Sequence, residues 1–264
     1  MKRIFILLLA SFPLLTMHAQ DFALKELDAS PRHQEWIKVK SGDRDVNCFV
    51  VYPETSKKAT VVIAIHENRG LTDWVRSFAD QLAGKGFIVI APDLLSDFGP
   101  SLSRTSDFKS SDEARNAIYA LTPDQVMNDL NAVQKYASQI PAGNGKTSVI
   151  GFCWGGTQSF RMATYNHDIK AALVFYGSAP DKKGIKQIAA PVYGFYGGND
   201  QRINAGIPET EKLMKEAGKS YDYVIYEGAG HAYMRQGDDP KGSAENKTAR
   251  DKSWERLLKI LKAT

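Results

Sequence analysis

Short apolar runs rich in β-branched residues recur along this chain: ATVVIAIHE, GFIVIAPD, KTSVIGF, AALVFYG, PVYGFYGG and YDYVIYEG. Turn residues bound each run, and amphipathic stretches such as LTDWVRSFADQLAGK, TPDQVMNDLNAVQKYASQI and GIPETEKLMKEAGK lie between them. A strand that is apolar on both faces must be covered on both faces. The alternation therefore predicts βαβ units, that is, an α/β fold whose mainly parallel sheet carries helices on either side. Upstream, EWIKVKSGDRDVNCFVVYPE reads as two strands joined by a Gly-Asp turn. A closing helix is predicted from Trp254, Leu257, Leu258 and Leu261, which recur at helical spacing as a core-facing stripe. The polar, Ser-rich stretch from Leu94 to Leu121 interrupts the pattern and reads as an excursion over the sheet edge, where substrate contacts are commonly found. No repeat or long linker divides the chain.

The first residues, MKRIFILLLASFPLLTMHAQ, have a basic start, a short apolar run broken by Pro13 and a small or polar end. That is the layout of a secretory signal peptide over residues 1–20, which predicts export to the periplasm or beyond. The run is too short for a spanning helix, which needs roughly 20 apolar residues. Residues 21–264 then form one domain, large enough for a substantial core. Removing Lys2 and Arg3 leaves Lys and Arg nearly balanced by the 30 acidic residues. With no basic cluster interleaved with aromatics, nucleic-acid binding is not expected. Nothing in the sequence points to a partner chain, and a monomer is favoured. There are two cysteines, Cys48 and Cys153, too few for a disulfide framework in a chain of this size. Cys48 lies within VNCFVVY, where a small apolar residue fits a strand.

Cys153 sits in SVIGFCWGG, where Gly151-Phe-Cys153-Trp-Gly155 is G-x-C-x-G. This is the nucleophile-elbow pattern with cysteine in place of serine. The turn from strand to helix is so tight that side chains two residues before and after would collide, which is why glycine is needed there. The N–H of Trp154 then faces the same space as the thiol. Three readings stay open on this stretch alone: core cysteine, crosslink or catalyst. A thiol with a pKa near 8.5 needs a base. Of the five histidines, His18 leaves with the signal, while His33 and His167 lie in polar surroundings. His66 ends an apolar strand, as a core residue or an orienter of the following loop. His231, in the Gly-rich loop EGAGHAYM after the last strand, is the candidate base. Asp200, in FYGGNDQRI, is either a turn residue or the acid that orients it. The order Cys153, Asp200, His231, with about one strand–helix unit in each interval, is nucleophile, acid, base as in α/β hydrolases.

With these residues in place the chain resembles the dienelactone hydrolase family, α/β hydrolases with a Cys-Asp-His triad. The likeness extends over nearly all of the mature chain. IAIHENRG places Glu67 where that family keeps a glutamate beside the thiol, and Asn68 where it has the second oxyanion-hole amide besides that of Trp154. Arg235, four residues after His231, and Arg115, in SSDEARNAIYAL, resemble the family's substrate-facing arginines. The resemblance implies a resting thiol held by Glu67 and released to His231 when an anionic substrate displaces that contact. Arginine suits such a carboxylate because guanidinium binds it bidentately. Trp154 and Tyr233 are either core residues or part of an aromatic-lined pocket.

The expected activity is therefore hydrolysis of a lactone or small activated ester through a Cys153 thioester, without cofactor or metal. No H-E-x-x-H motif is present, and the HEN at 66–68 does not replace one. Rival expectations are a general esterase or short-peptide hydrolase on the same fold, and a binding protein that has lost activity. A redox role for Cys153 lacks a C-x-x-C partner. The family's familiar members work on aromatic breakdown in the cytoplasm, so export separates this chain from them.

Overall fold

The computed structural model describes residues 21–264; the expected signal peptide lies outside the described residues. A short helix, α1 (Asp21–Asp28), precedes the hairpin of β1 (Gln34–Ser41) and β2 (Arg44–Val51), which turns at Gly42 with φ of 60°. Then follow β3 (Ala59–Ile65), α2 (Asp73–Ala83), β4 (Ile88–Pro92), α3 (Ser111–Ala120), α4 (Pro123–Ser138) and β5 (Gly143–Phe152). The second half comprises α5 (Trp154–Tyr165), β6 (Ala172–Phe175), α6 (Lys182–Gln187), β7 (Val192–Gly197) and α7 (Gln201–Asn204). It closes with α8 (Ile207–Glu216), β8 (Tyr221–Tyr226), α9 (Tyr233–Asp238) and α10 (Ala244–Ala263).

The strands form one eight-stranded sheet in the order β1-β2-β4-β3-β5-β6-β7-β8. Only the β1–β2 and β2–β4 pairs are antiparallel. The other pairs are parallel, as the doubly apolar runs require. Alternate residues of each strand feed two cores. Val62, Ala64, Ile150 and Phe152 pack with Trp74 and Phe78 of α2 and Leu257 of α10. Ile63, Ile65 and Val149 pack with Leu130 of α4, Phe160 of α5 and Met214 of α8. Phe152 sits among Trp74, Phe78 and Phe175 at ring separations of 4.9, 4.8 and 5.1 Å. Truncating such a ring to alanine costs roughly 3–5 kcal/mol, so the residue before Cys153 is firmly held. The C-terminal stripe is core as expected: Leu257 and Leu261 are buried, and Trp254 stacks on Phe78.

The excursion from Leu94 to Leu121 is more ordered than its composition suggested, because its last third is α3. Ser110 caps this helix by accepting from the Glu113 N–H, and Asp112 and Glu113 sit favourably in its first turn. Only Ala114, Ala117 and Ile118 are buried, a stripe too small to stand out in the sequence. No helix among the described residues is long and apolar enough to cross a membrane.

Candidate active site

The elbow is sterically dictated. Cys153 lies between β5 and α5 at φ 56°, ψ −115°, a backbone conformation that non-glycine residues rarely hold. A Cβ on Gly151 would run into the Gly155 carbonyl, and one on Gly155 would meet the Ile65 and His66 carbonyls. The two glycines thus let α5 start directly against the ends of β3 and β5. The Cys153 N–H is anchored to the Phe175 carbonyl at 3.0 Å. The side chain stands half-buried at the carboxyl end of the sheet.

Two loops converge on the sulfur. From the loop after β8, His231 Nε2 lies 3.1 Å from Cys153 Sγ. Its Nδ1 lies 2.5 Å from Oδ2 of the buried Asp200, which follows β7. An Asp200 carboxylate accepting from Nδ1–H leaves Nε2 to accept from the thiol. The loop is braced: Asn246 accepts from the Gly230 N–H at 3.0 Å, and Gln236 donates to the His231 carbonyl at 2.9 Å. The edge of Tyr176 meets the His231 ring at 5.1 Å. Tyr176 is itself fully buried at φ 40°, and its hydroxyl has no hydrogen-bond partner.

From the loop after β3, Glu67 does not hold the thiol. Its Oε2 accepts from Arg235 Nε at 2.7 Å, while Oε1 is buried without a partner. Arg235, the expected substrate arginine, therefore engages Glu67 instead, and the thiol faces His231. The reason is charge: a carboxylate beside a guanidinium is far better compensated than beside a neutral thiol. Burial and, next, the Glu67 charge push the Cys153 thiol up to about 11. The amides of Trp154 and Asn68, together with the Arg202 charge, act in the opposite direction. Both amides expected for the oxyanion hole thus address the sulfur.

His66 contributes more than core packing. Its Nδ1 lies 2.8 Å from the Glu67 carbonyl, and its Nε2 lies 3.2 Å from the Leu94 N–H. Nε2 therefore accepts and Nδ1–H donates, and burial holds the ring neutral. In a trans peptide the carbonyl and the next N–H point in opposite directions. Gripping the Glu67 carbonyl consequently aims the Asn68 N–H. The same ring lies parallel to Trp154 at 5.5 Å, which braces the residue carrying the other amide.

The remaining sequence candidates divide. Tyr233 is a correction: it is fully buried, and its hydroxyl pairs with Ser253 Oγ at 2.7 Å. Ala232 at φ 61° turns the chain so that Tyr233 enters the core, while Arg235, further along α9, reaches Glu67. Arg115 is exposed on α3, one turn before Tyr119, whose hydroxyl accepts from Asn68 Nδ2 at 3.1 Å. That places Arg115 on the helix stripe bordering the Glu67 loop, but among the described residues no hydrogen bond or ion pair joins it to Cys153, Asp200 or His231. Arg202, whose charge reaches the sulfur, was not legible; it lies on the short α7 just after Asp200. His167 is exposed, and Cys48 is a buried free thiol in β2. Among the described residues no three His, Cys, Asp or Glu side chains gather as metal ligands.

Comparisons with known proteins place the chain in a family. The dienelactone hydrolase family model matches residues 46–264. A Yersinia pestis protein assigned the name carboxymethylenebutenolidase is 30% identical over 210 residues, covering 75% of this chain and 76% of its own. A Bradyrhizobium protein assigned as a 2-oxo-3-(5-oxofuran-2-ylidene)propanoate lactonase is 25% identical, covering 86% of this chain and 93% of its own. A Klebsiella pneumoniae crystal structure assigned as a dienelactone hydrolase superposes with a TM-score of 0.77 at 23% identity. It covers 88% of this chain and 99% of its own. The chain belongs to the dienelactone hydrolase family and is a carboxylic ester hydrolase of α/β-hydrolase fold.

Proposed function

We propose that the protein opens small lactones or activated esters bearing a carboxylate, by a Cys153 thioester. The observation that carries this reading is the continuous Cys153 Sγ–His231 Nε2–Asp200 contact, at 3.1 and 2.5 Å, on a positive-φ elbow. His231 takes the thiol proton as Sγ attacks the acyl carbon, and Asp200 stabilises the resulting imidazolium. The carbonyl oxygen becomes an oxyanion at the Trp154 and Asn68 amides; losing one such donor typically costs roughly 10²–10³ in rate. As the C–O bond breaks, the leaving oxygen takes the proton from His231, giving a thioester. A water molecule, deprotonated by His231, then attacks the thioester, and the carboxylic product leaves as the thiol is restored.

Glu67 and Arg235 support the preference for an anion. A substrate carboxylate competes with Glu67 for Arg235, which donates to Glu67 through Nε. The lactone named for the Bradyrhizobium relative is a propanoate, which fits this chemistry. A thiol kept protonated at rest also resists oxidation, which suits the export read from residues 1–20. A panel of lactones and aryl esters, tested with the wild type and Cys153→Ala, checks the proposal. We expect turnover only in the wild type, and equal rates in both would remove Cys153 as nucleophile.

A further inference from the structure

A second cavity, of about 520 Å³, opens at the antiparallel edge of the sheet. None of Cys153, Asp200, His231, Glu67 or Arg235 lines it. Trp36 forms its outer wall from β1, four places from β5 in the sheet. At the usual strand spacing that outer wall is roughly 19 Å from the strand carrying the elbow, while the inner wall, Arg69, Leu71 and Thr72, follows Glu67 on the loop after β3. The volume falls within the range of ordinary small-molecule sites.

Its lining combines exposed apolar surface with positive charge. Trp36 remains 38% exposed although it belongs to a strand, Leu24 and Phe108 add further apolar area, and the buried Leu71 closes the floor. Arg104 lies over the Trp36 ring at 5.0 Å, and neither Arg104 nor Lys109 forms an ion pair among the described residues. Arg76, the other cation near Trp36, is already paired with Asp73. The second carboxylate in the wall, Asp93, is occupied by the Thr105 N–H and hydroxyl and by the Leu95 N–H. The acidic groups are therefore committed while two cations are not. Such a cavity matches a ligand with an apolar, preferably aromatic body and one anionic end.

We propose that this cavity is a binding site for a small aromatic carboxylate, separate from the Cys153 site. The ring packs against Trp36, Leu71 and Phe108, and the carboxylate meets Arg104 and Lys109. Arg104 is the better anchor, since its planar guanidinium engages both carboxylate oxygens while already seated on an aromatic face.

The test is calorimetric titration of naphthoate into the Cys153→Ala protein, which keeps the measurement independent of any hydrolysis. Saturable binding tighter than about 1 mM is expected. Arg104→Ala should weaken it at least about tenfold, with Arg104→Lys intermediate, because a charge-assisted bidentate contact is lost. Lys109→Ala, an exposed position that cannot compromise folding, should weaken it several-fold. Arg235→Ala should leave it unchanged, and the neutral isostere naphthylmethanol should bind at least about tenfold more weakly. Inorganic phosphate alone should not compete. Absence of saturation, equal affinity for the alcohol, or insensitivity to both Arg104→Ala and Lys109→Ala would overturn the proposal. So would loss of binding in Arg235→Ala, which would place the ligand beside Cys153.

Discussion

Replacing Glu67 by glutamine should make Cys153 more reactive toward a simple alkylating agent, although Glu67 belongs to the same site. The Glu67 charge is the second cause, after burial, of a thiol held up to about 11. Glu67→Gln removes that negative charge and also frees the half-buried Arg235 near the sulfur. Both changes favour the thiolate. A neighbouring charge of this kind shifts a pKa by about 1–3 units, and we take the lower bound because glutamine keeps the shape. One unit means about tenfold more thiolate at fixed pH. Lower basicity reduces the attacking power of each thiolate, with a Brønsted slope of about 0.4–0.5, so the net gain is about threefold. The assay is iodoacetamide alkylation followed by intact mass, with Cys48 silent because it is fully buried. In the wild type the rate should climb about tenfold per pH unit with no plateau before about pH 10. In Glu67→Gln the curve should bend about one unit earlier. An unchanged or later bend would mean that the Glu67 charge does not hold the thiol protonated. A wild-type plateau already in the acid range would mean that thiolate and imidazolium are the resting pair.

His66→Ala should lower kcat for esters by about 10²-fold, through misdirected oxyanion donors, and slow iodoacetamide alkylation of Cys153 much less. Equal loss in both assays would mean that His66 supports only folding. Arg235→Ala should raise KM for carboxylate-bearing esters about tenfold or more with little change for neutral esters, and steady-state kinetics on matched pairs checks this. Asp238 is buried between Trp74 and Arg250, and burial raises its carboxyl to about 6. A folded-state pKa above the unfolded value means that the native protein holds the proton more tightly. Stability therefore falls as pH rises from about 4 through 6, by up to about 3 kcal/mol. Denaturant melts across that window should show the slope, and Asp238→Asn should reduce it, the buried Asp93 and Asp129 contributing in the same direction.

What could be read from the sequence was local or topological. The elbow was legible because its glycines answer a steric demand within a few residues of Cys153. Asp200 and His231 were legible because parallel strands bring the loops at their carboxyl ends to one side of the sheet. The alternating apolar runs set the sheet and its two cores directly. Contacts between distant loops were not legible. Nothing in IAIHENRG or HAYMR says that Glu67 chooses Arg235 over the thiol, since that choice depends on charges brought together only by folding. Tyr233 was misplaced because a single left-handed residue, Ala232, redirects the chain. The helix α3 was hidden because its buried stripe is two alanines and an isoleucine. His66 could be read as a core residue or as an orienter of the following loop, and only the loop's own geometry shows that it grips the Glu67 peptide.

The proposed mechanism is covalent: it requires the acyl group to reside on Cys153 during turnover. Acid-quenching the wild type within its first turnovers of an aryl ester, followed by intact-protein and peptide mass spectrometry, tests this directly. A mass increase equal to the acyl group is expected, carried by the peptide containing Cys153, removed by hydroxylamine and absent from Cys153→Ala. An acyl group on any other residue, or undiminished turnover by Cys153→Ala, would contradict it.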